Sequence, residues 1–467
     1  MKPTPRRIPG RIAFLERWHD RGGFSEVLRL AAPLILSSGS LAVQEFVDRM
    51  FLSWYSPEAI AASMPSGILY FTILSVFLGT ASYVNTFVAQ YHGAAQPERI
   101  GPSLWQGFYV SLVGGLLLLL MAPLSPAIFE WIGHPVQVRR LEVRYFRVLC
   151  YGSIFPIANS AVAAFFTGRG KPWPVMWVHL LATVVNIVLN YILIFGRFGF
   201  PELGISGAAI STVASGVVSF LVFAVLILRR KNNGSFATRS GWRPNVELLR
   251  RILRYGLPNG IHFFIDIFGF TVFILLIGRI GMVELAATNI AFNINSLAFM
   301  PMIGLGMAIS ILVGQYVGEQ RVDLASRSTY SGAAICFLYM GLIALSYVLV
   351  PDFYIRFFSS KSAPETFEEI REIAVVLLRF VAVYSIFDTM NIVFAAAING
   401  AGDTRFVMIM ILIVSTCILI VPTFLLLLVF QASIYTAWIF VTVYVSVLGF
   451  GFYFRFLQGK WKSMRVI

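Results

Sequence analysis

The chain has 467 residues, of which 58% are hydrophobic and only 12% charged, and its mean hydropathy is +0.79. Soluble domains average about 45–50% apolar and about 25% charged residues, so the composition excludes an ordinary water-soluble globule and specifies a polytopic membrane protein. The formal charge of +14 gives no sign of a nucleic-acid partner, because the basic residues lie mostly between apolar runs and form no single soluble face.

Residues 1–23 are basic and lack a sustained apolar core, so no cleavable signal peptide is expected there. Each spanning helix needs about 20 mostly apolar residues. Twelve such spans follow, at 28–54, 60–90, 103–124, 143–167, 174–196, 207–228, 252–279, 285–315, 329–350, 372–399, 405–428 and 434–457. The expected fold class is therefore an all-α integral membrane protein. Placing the N-terminus in the cytoplasm puts 25 of the 36 Lys and Arg on that side. The dense stretch "RRKNNGSFATRSGWRPNVELLRR" at 229–251 is among them. Both termini are thus expected to face the cytoplasm across the cytoplasmic (inner) membrane. Cys150, Cys336 and Cys417 fall inside apolar segments with no Cys-x-x-Cys spacing, which predicts neither a disulfide framework nor a cysteine metal site.

The basic stretch divides the chain into an N-lobe (1–228) and a C-lobe (252–467), each with six spans, joined by a linker (229–251). The halves repeat one another. Arg29 and Pro33 recur as Arg254 and Pro258, and "VAQYHG" at 88–93 recurs as "VGQYVG" at 313–318, both at an offset of 225 residues. "SIFPIAN" at 153–159 matches "SIFDTMN" at 385–391, and "GRG" at 168–170 matches "GAG" at 400–402, at an offset of 232. An even number of crossings per repeat predicts lobes related by a pseudo-twofold axis along the membrane normal. Duplicated halves favour a carrier that rocks around a midplane cavity. One chain supplies both halves, so it is expected to work as a monomer among membrane lipids.

Four acids lie inside predicted spans away from their ends: Glu45, Asp48, Asp266 and Asp388. Carboxylates at this depth usually face a bundle interior or an aqueous cavity and mark ion pathways. In the first span, Glu45 and Arg49 share a helix face at i, i+4, while Glu45 and Asp48 are also neighbours. Arg49 then either pairs with Glu45 or competes for Asp48 when the transported ion is absent. Asn186 and Asn190 share a face of the fifth span. With a carboxylate and a hydroxyl they would suit a hard cation such as Na⁺, and equally they could bond between helices. His262 and Asp266 stand four residues apart, as either a proton relay or a structural pair. Asp388 has Pro156 as its counterpart in the other half, so it serves an asymmetric function; Asn391, one turn on, can hydrogen-bond it. Pro33, near the ion-bearing first helix, is a candidate hinge or a static kink. Aromatic residues make up 15% of the chain and can attract organic cations.

Four stretches, taken together, resemble the multidrug and toxic-compound extrusion (MATE) family, and most closely its NorM-like branch. "FVDRMFLS" at 46–53 resembles the first-helix Val-Asp-Thr motif, and "NIVLNYILIFG" at 186–196 the paired-Asn helix. "GLPNGIHFFID" at 256–266 and "AAAINGAGDTRF" at 395–406 resemble the seventh-helix pattern and the turn after the tenth helix. The resemblance runs from "AAPLILSSGS" at 31–40 to the last span. It implies a twelve-helix, two-lobed antiporter that expels organic, often cationic compounds as H⁺ or Na⁺ enters, with no cofactor besides that ion. It also implies that Asp48, Asn186 and Asn190 occupy the N-lobe ion positions, with Asp48 and Asn190 as Na⁺ ligands if Na⁺ is the ion. Thr212 matches a sixth-helix hydroxyl near the same site. Asp266 stands where the branch usually has Glu, and Asp388 at its tenth-helix Asp. Arg49 departs from the usual Thr. An alternative expectation is a flippase for a lipid-linked oligosaccharide, which should need a strongly basic cavity. No His-Glu-x-x-His motif, Ser-His pair or Gly-rich phosphate loop appears, so no enzyme is expected.

Overall fold

Within lipid, each backbone N–H and C=O must find a partner inside its own segment, so long apolar runs fold as helices. The computed structural model describes residues 18–358, 364–430 and 432–467. Among them are twelve apolar helical spans: α1 (Phe24–Tyr55), α2 (Pro57–Gly93), α3 (Pro97–Ile132), α4 (Val136–Thr167), α5 (Trp173–Phe195), α6 (Ile205–Ile227), α7 (Val246–Ile277), α8 (Met282–Gly318), α9 (Val322–Leu349), α10 (Phe367–Ala401), α11 (Thr404–Leu427) and α12 (Ile434–Gln458). There is no strand among the described residues.

The boundaries follow local chemistry. Ser56 alone separates α1 from α2; its hydroxyl accepts from Ala59 N–H at 3.0 Å, and Pro57 takes the first helical position, where a missing N–H is harmless. Gly196, in the left-handed region at φ 62°, ends α5. Several helices begin five to seven residues earlier than hydropathy indicates, α4 and α7 among them. α4 starts at Val136, where the expected boundary was residue 143, because its polar residues find partners. His134 Nδ1 lies 2.7 Å from buried Glu142, and Arg147 donates to the Ala122 carbonyl and the Ser125 hydroxyl. α7 starts at Val246, inside the charged linker, where the Asn245 side chain caps Leu248 N–H at 2.9 Å. The rest of the linker is strapped to α3: Trp105 donates to Thr238 O at 2.8 Å, and Asn245 N–H donates to Gln106 at 3.3 Å. In α11, Pro422 lies between two π-helical turns, Ser415–Ile420 and Leu425–Val429, which absorb its missing N–H by widening the helix.

α1, α5 and α6 pack together in the first half, beside α2, α3 and α4. In the second half, α8, α9 and α12 surround α10. The halves meet where α1 crosses α8 and α2 crosses α7. Along these seams only glycine fits. A Cβ on Gly260 would lie 2.1 Å from the Val76 carbonyl, and one on Gly93 would lie 1.9 Å from that of Gln315. Asn259 donates to Gly79 O and Tyr83 to Asn399 O, both at 2.8 Å. Arg21 pairs with Glu319 at 2.6 Å and Arg327 with Asp20 at 2.8 Å. These cross-lobe bonds gather at the end of the bundle that holds the starts of α1 and α7 and the end of α12. Beyond Asn259 and Tyr83, towards the other end, no hydrogen bond joins the lobes among the described residues.

After α10, Arg455 Nε donates to Asp403 Oδ2 at 2.7 Å; the side chains are only 13% and 6% exposed, and the guanidinium lies over Phe406. Arg455→Leu strands a buried carboxylate and is expected to cost about 3–5 kcal/mol, with Asp403→Leu added to it restoring most of the loss. Thermal unfolding in detergent reads both variants; a single substitution that leaves the midpoint unchanged would refute a structural role for the pair.

Candidate functional site

The first cluster is set by three helices at one level. Asp48 lies seven residues before the end of α1, and Thr212 seven residues after the start of α6, so each is about 10 Å from that end of the bundle. Between them, α5 presents Asn186 and Asn190, both fully buried. Asn190 Nδ2 donates to Asp48 Oδ1 and, at 3.0 Å, to Asn186 Oδ1. Thr212 Oγ1 approaches Asp48 Oδ2 at 3.5 Å. One carboxylate is thus held by an amide and a hydroxyl from two other helices. Asn190 Oδ1 and Asn186 Nδ2 remain buried with no partner, an unusual condition that leaves an oxygen acceptor beside the carboxylate.

On α1, Glu45 lies one turn before Asp48 and Arg49 directly follows it. The closest atoms of Glu45 and Arg49 are 3.8 Å apart, and their side chains are 70% and 56% exposed. Of the two readings open for Arg49, the geometry gives a loose pair with Glu45; the bonds to Asp48 come from Asn190 and Thr212. Pro33 is inside α1, which continues unbroken past it.

The second cluster lies in the other half, nearer mid-membrane. His262 Nε2 is 2.8 Å from Asp266 Oδ2, one turn apart on α7. Asn391 Nδ2 donates to Asp388 Oδ1 at 3.1 Å, one turn apart on α10. The two acids are electrostatic neighbours of each other and of Tyr444 from α12, which is 3% exposed. Tyr384, on the turn before Asp388, accepts from Asn295 of α8 at 3.2 Å. His262 Nδ1 is buried without a partner. The fold therefore brings His262, Asp266, Asp388 and Asn391 into one lobe and Asp48, Asn186, Asn190 and Thr212 into the other. Among the described residues, no hydrogen bond or ion pair joins the two sets.

Sequence reasoning missed two groups. His179 and Thr183 continue the Asn186 and Asn190 face of α5. Ser37 Oγ meets His179 Nδ1 at 2.6 Å, and Thr183 Oγ1 donates to Ser40 O at 3.1 Å. The spacing 179, 183, 186, 190 is one helical stripe and was there to be found. Tyr384 and Tyr444 carried no such signal among 18 Tyr and 42 Phe.

A family model described as MatE matches residues 33–192 and again 258–425, once in each half, starting at the paired prolines. A probable multidrug resistance protein NorM of Thermotoga maritima is 26% identical over 447 residues, covering 95% of this chain and 94% of the relative. One of the same description from Pseudomonas aeruginosa is 30% identical over 386 residues, covering 81% and 78%. Among solved structures, an outward-facing multidrug resistance MATE family transporter of the MOP superfamily superposes with a TM-score of 0.85 at 20% identity, covering 95% of this chain and 97% of that one. A MOP superfamily transporter from Pyrococcus furiosus, described as having a binding pocket of reversed polarity, gives 0.84 at 20% identity, covering 96% and 99%.

Proposed function

The chain belongs to the MatE family of membrane transporters, and on that premise we propose that it is an antiporter, working as a monomer, that exports organic cationic compounds in exchange for inward H⁺ or Na⁺. The observation that carries this reading is a charge cluster in each half, beyond a seam whose cross-lobe hydrogen bonds all gather toward one end among the described residues. With the basic loops and both termini in the cytoplasm, the hydrogen-bonded end is cytoplasmic and the clusters lie on its outer side. The multidrug resistance names of the relatives support the substrate class.

The chemistry follows from the donor set. The Asn190 amide donates to the Asp48 carboxylate, and the Thr212 hydroxyl lies beside it. An arriving proton neutralises it, and the unpartnered Asn190 Oδ1 is the adjacent acceptor for the new O–H. An arriving Na⁺ would draw on the same oxygens: the carboxylate, the two amides and the hydroxyl. Either ion removes a charge from the cavity. In the C-lobe, Asp266 and Asp388 supply the negative field for an organic cation, and Tyr444 an aromatic face. Ion and drug exchange because each favours a different access state, and a ligand shifts an equilibrium only by its differential affinity.

The test uses purified protein in liposomes, with an H⁺ gradient or a Na⁺ gradient imposed separately and ethidium movement followed by fluorescence. One gradient is expected to drive ethidium against its concentration gradient. If neither does so while the protein remains folded, the antiporter reading fails.

A further inference from the structure

The repeated "Q-Y-x-G" motif has no part in either acid cluster, yet it joins the lobes. Gln90 Nε2 donates to Gly400 O at 3.1 Å and Ala401 O at 3.2 Å in the other half. Gln315, its repeat partner, donates to Gly168 O at 2.8 Å, and Gly168 is the repeat partner of Gly400. The glycines that close each motif are equally matched. A Cβ on Gly93 would lie 1.9 Å from Gln315 O, and one on Gly318 would lie 2.2 Å from Gln90 O. The repeat thus encodes two reciprocal clasps about the pseudo-twofold axis.

The symmetry is broken on one side. After α12 the chain turns through Gly459 (φ 71°), buries Trp461 against Phe456 in the C-lobe core, and runs to Val466. Val466 N–H donates to Gln90 Oε1 at 2.9 Å, so the amide of Gln90 is used at both ends. The Val466 carbonyl accepts from Arg251, and that of Arg465 from Tyr255. The Val466 side chain is fully buried in a cluster that includes Tyr83, Phe87, Val88 and Tyr91 of α2 and Leu248 and Ile252 of α7, with Ile467 against it. A segment rooted in the C-lobe core therefore reaches into a cluster built mainly from N-lobe helices together with the start of α7.

We propose that residues 461–467 are a latch that holds the Gln90 clasp closed and biases the carrier toward the state sealed at this end. The latch can act only where the lobes are joined, and its release must precede separation of Gln90 from Gly400. A hydrogen bond to a buried amide and one buried apolar side chain together favour the closed state on the order of a hundredfold. This inference rests on the reading of the chain as a two-state carrier. Its test reads lobe separation without any transport, so the two can fail separately.

Spin labels at Glu98→Cys at the start of α3 and Asp323→Cys at the start of α9 report the distance across this end, with Cys417→Ser removing the exposed native thiol. Val466→Glu, which places an unpaired charge in the cluster, and Arg251→Ala, which removes the anchor of the Val466 carbonyl, are both measured. Release is read independently from the mobility of a label at Ser463→Cys. The expected result is that both variants mobilise Ser463 and raise the ratio of long- to short-distance populations over wild type, by about a hundredfold where the latch is fully released. Mobilised Ser463 labels with an unchanged distance distribution in both variants would overturn the latch. So would a distribution that is already fully open in the wild type.

Discussion

Asp48→Asn is expected to uncouple drug movement from the ion gradient. The substitution keeps the shape of the side chain and an oxygen for Thr212, while its new NH2 needs the Asn190 amide to turn its unpartnered Oδ1 toward it, with the unpartnered Asn186 Nδ2 free to donate in turn. What it removes is the one group of this cluster that can exchange charge. An Asn neither takes up a proton nor offers Na⁺ a negative ligand, so the differential affinity that ties ion to access state is lost. A coupling free energy of typical size corresponds to about 5–150-fold, and gradient-driven efflux should fall by that factor. Residual efflux in the variant should be the same with and without the gradient. Because Asn190 Oδ1 is buried and unpartnered beside the carboxylate, Asn190→Ala should weaken coupling less, as the charge itself remains. Liposome efflux at matched protein incorporation measures both variants. Asp48→Asn protein that still responds fully to the gradient would show that the N-lobe cluster is structural.

Gly260→Val is expected to block transport from a different direction. Even a Cβ at this position would lie 2.1 Å from the Val76 carbonyl and 2.5 Å from the Thr80 hydroxyl, and both belong to the opposite half. The seam can close over a valine only if the two helices move apart. Overpacking of this kind costs about 1–3 kcal/mol, and here the cost falls on the closed state alone, because separated lobes leave the position free. The population sealed at this end should drop by roughly 5–150-fold, at about 1.4 kcal/mol per tenfold. Label distances between Glu98→Cys and Asp323→Cys should lengthen, and efflux should fall with the acids untouched. Gly133→Val is the control, since nothing lies within 4 Å of its Cβ position, although its own φ of 84° strains a valine there locally. Gly260→Val protein with wild-type distances and efflux would mean that α2 and α7 do not form the seal.

Much of this architecture is legible in the sequence, for identifiable reasons. Spans announce themselves by apolar length, and the lobes by the offset of 225 residues that relates Pro33 to Pro258 and Gln90 to Gln315. Pairs on one helix, such as His262 with Asp266 and Asp388 with Asn391, follow from a period of 3.6 residues. Helix ends were less legible. α4 and α7 run into charged sequence because Glu142, Arg147 and Asn245 find partners that hydropathy does not register. Contacts between helices were the least legible. Nothing local to Gly79 or Gly260 says that each faces the other, since glycine is common in membrane helices for many reasons. Nor does Val466 announce that it ends in a cluster built around α2, as its partner Gln90 is 376 residues away.

The central claim is that ion and drug movements are thermodynamically linked through one protein, and an antiporter must then run in reverse. Liposomes with equal ion concentrations on both sides and a gradient of ethidium alone test this directly. The account predicts that ethidium moving down its gradient drives H⁺ or Na⁺ in the opposite direction, away from equality, and that Asp48→Asn protein passes the dye without moving the ion. Ethidium flux through the wild-type protein with no opposing movement of either ion would contradict it.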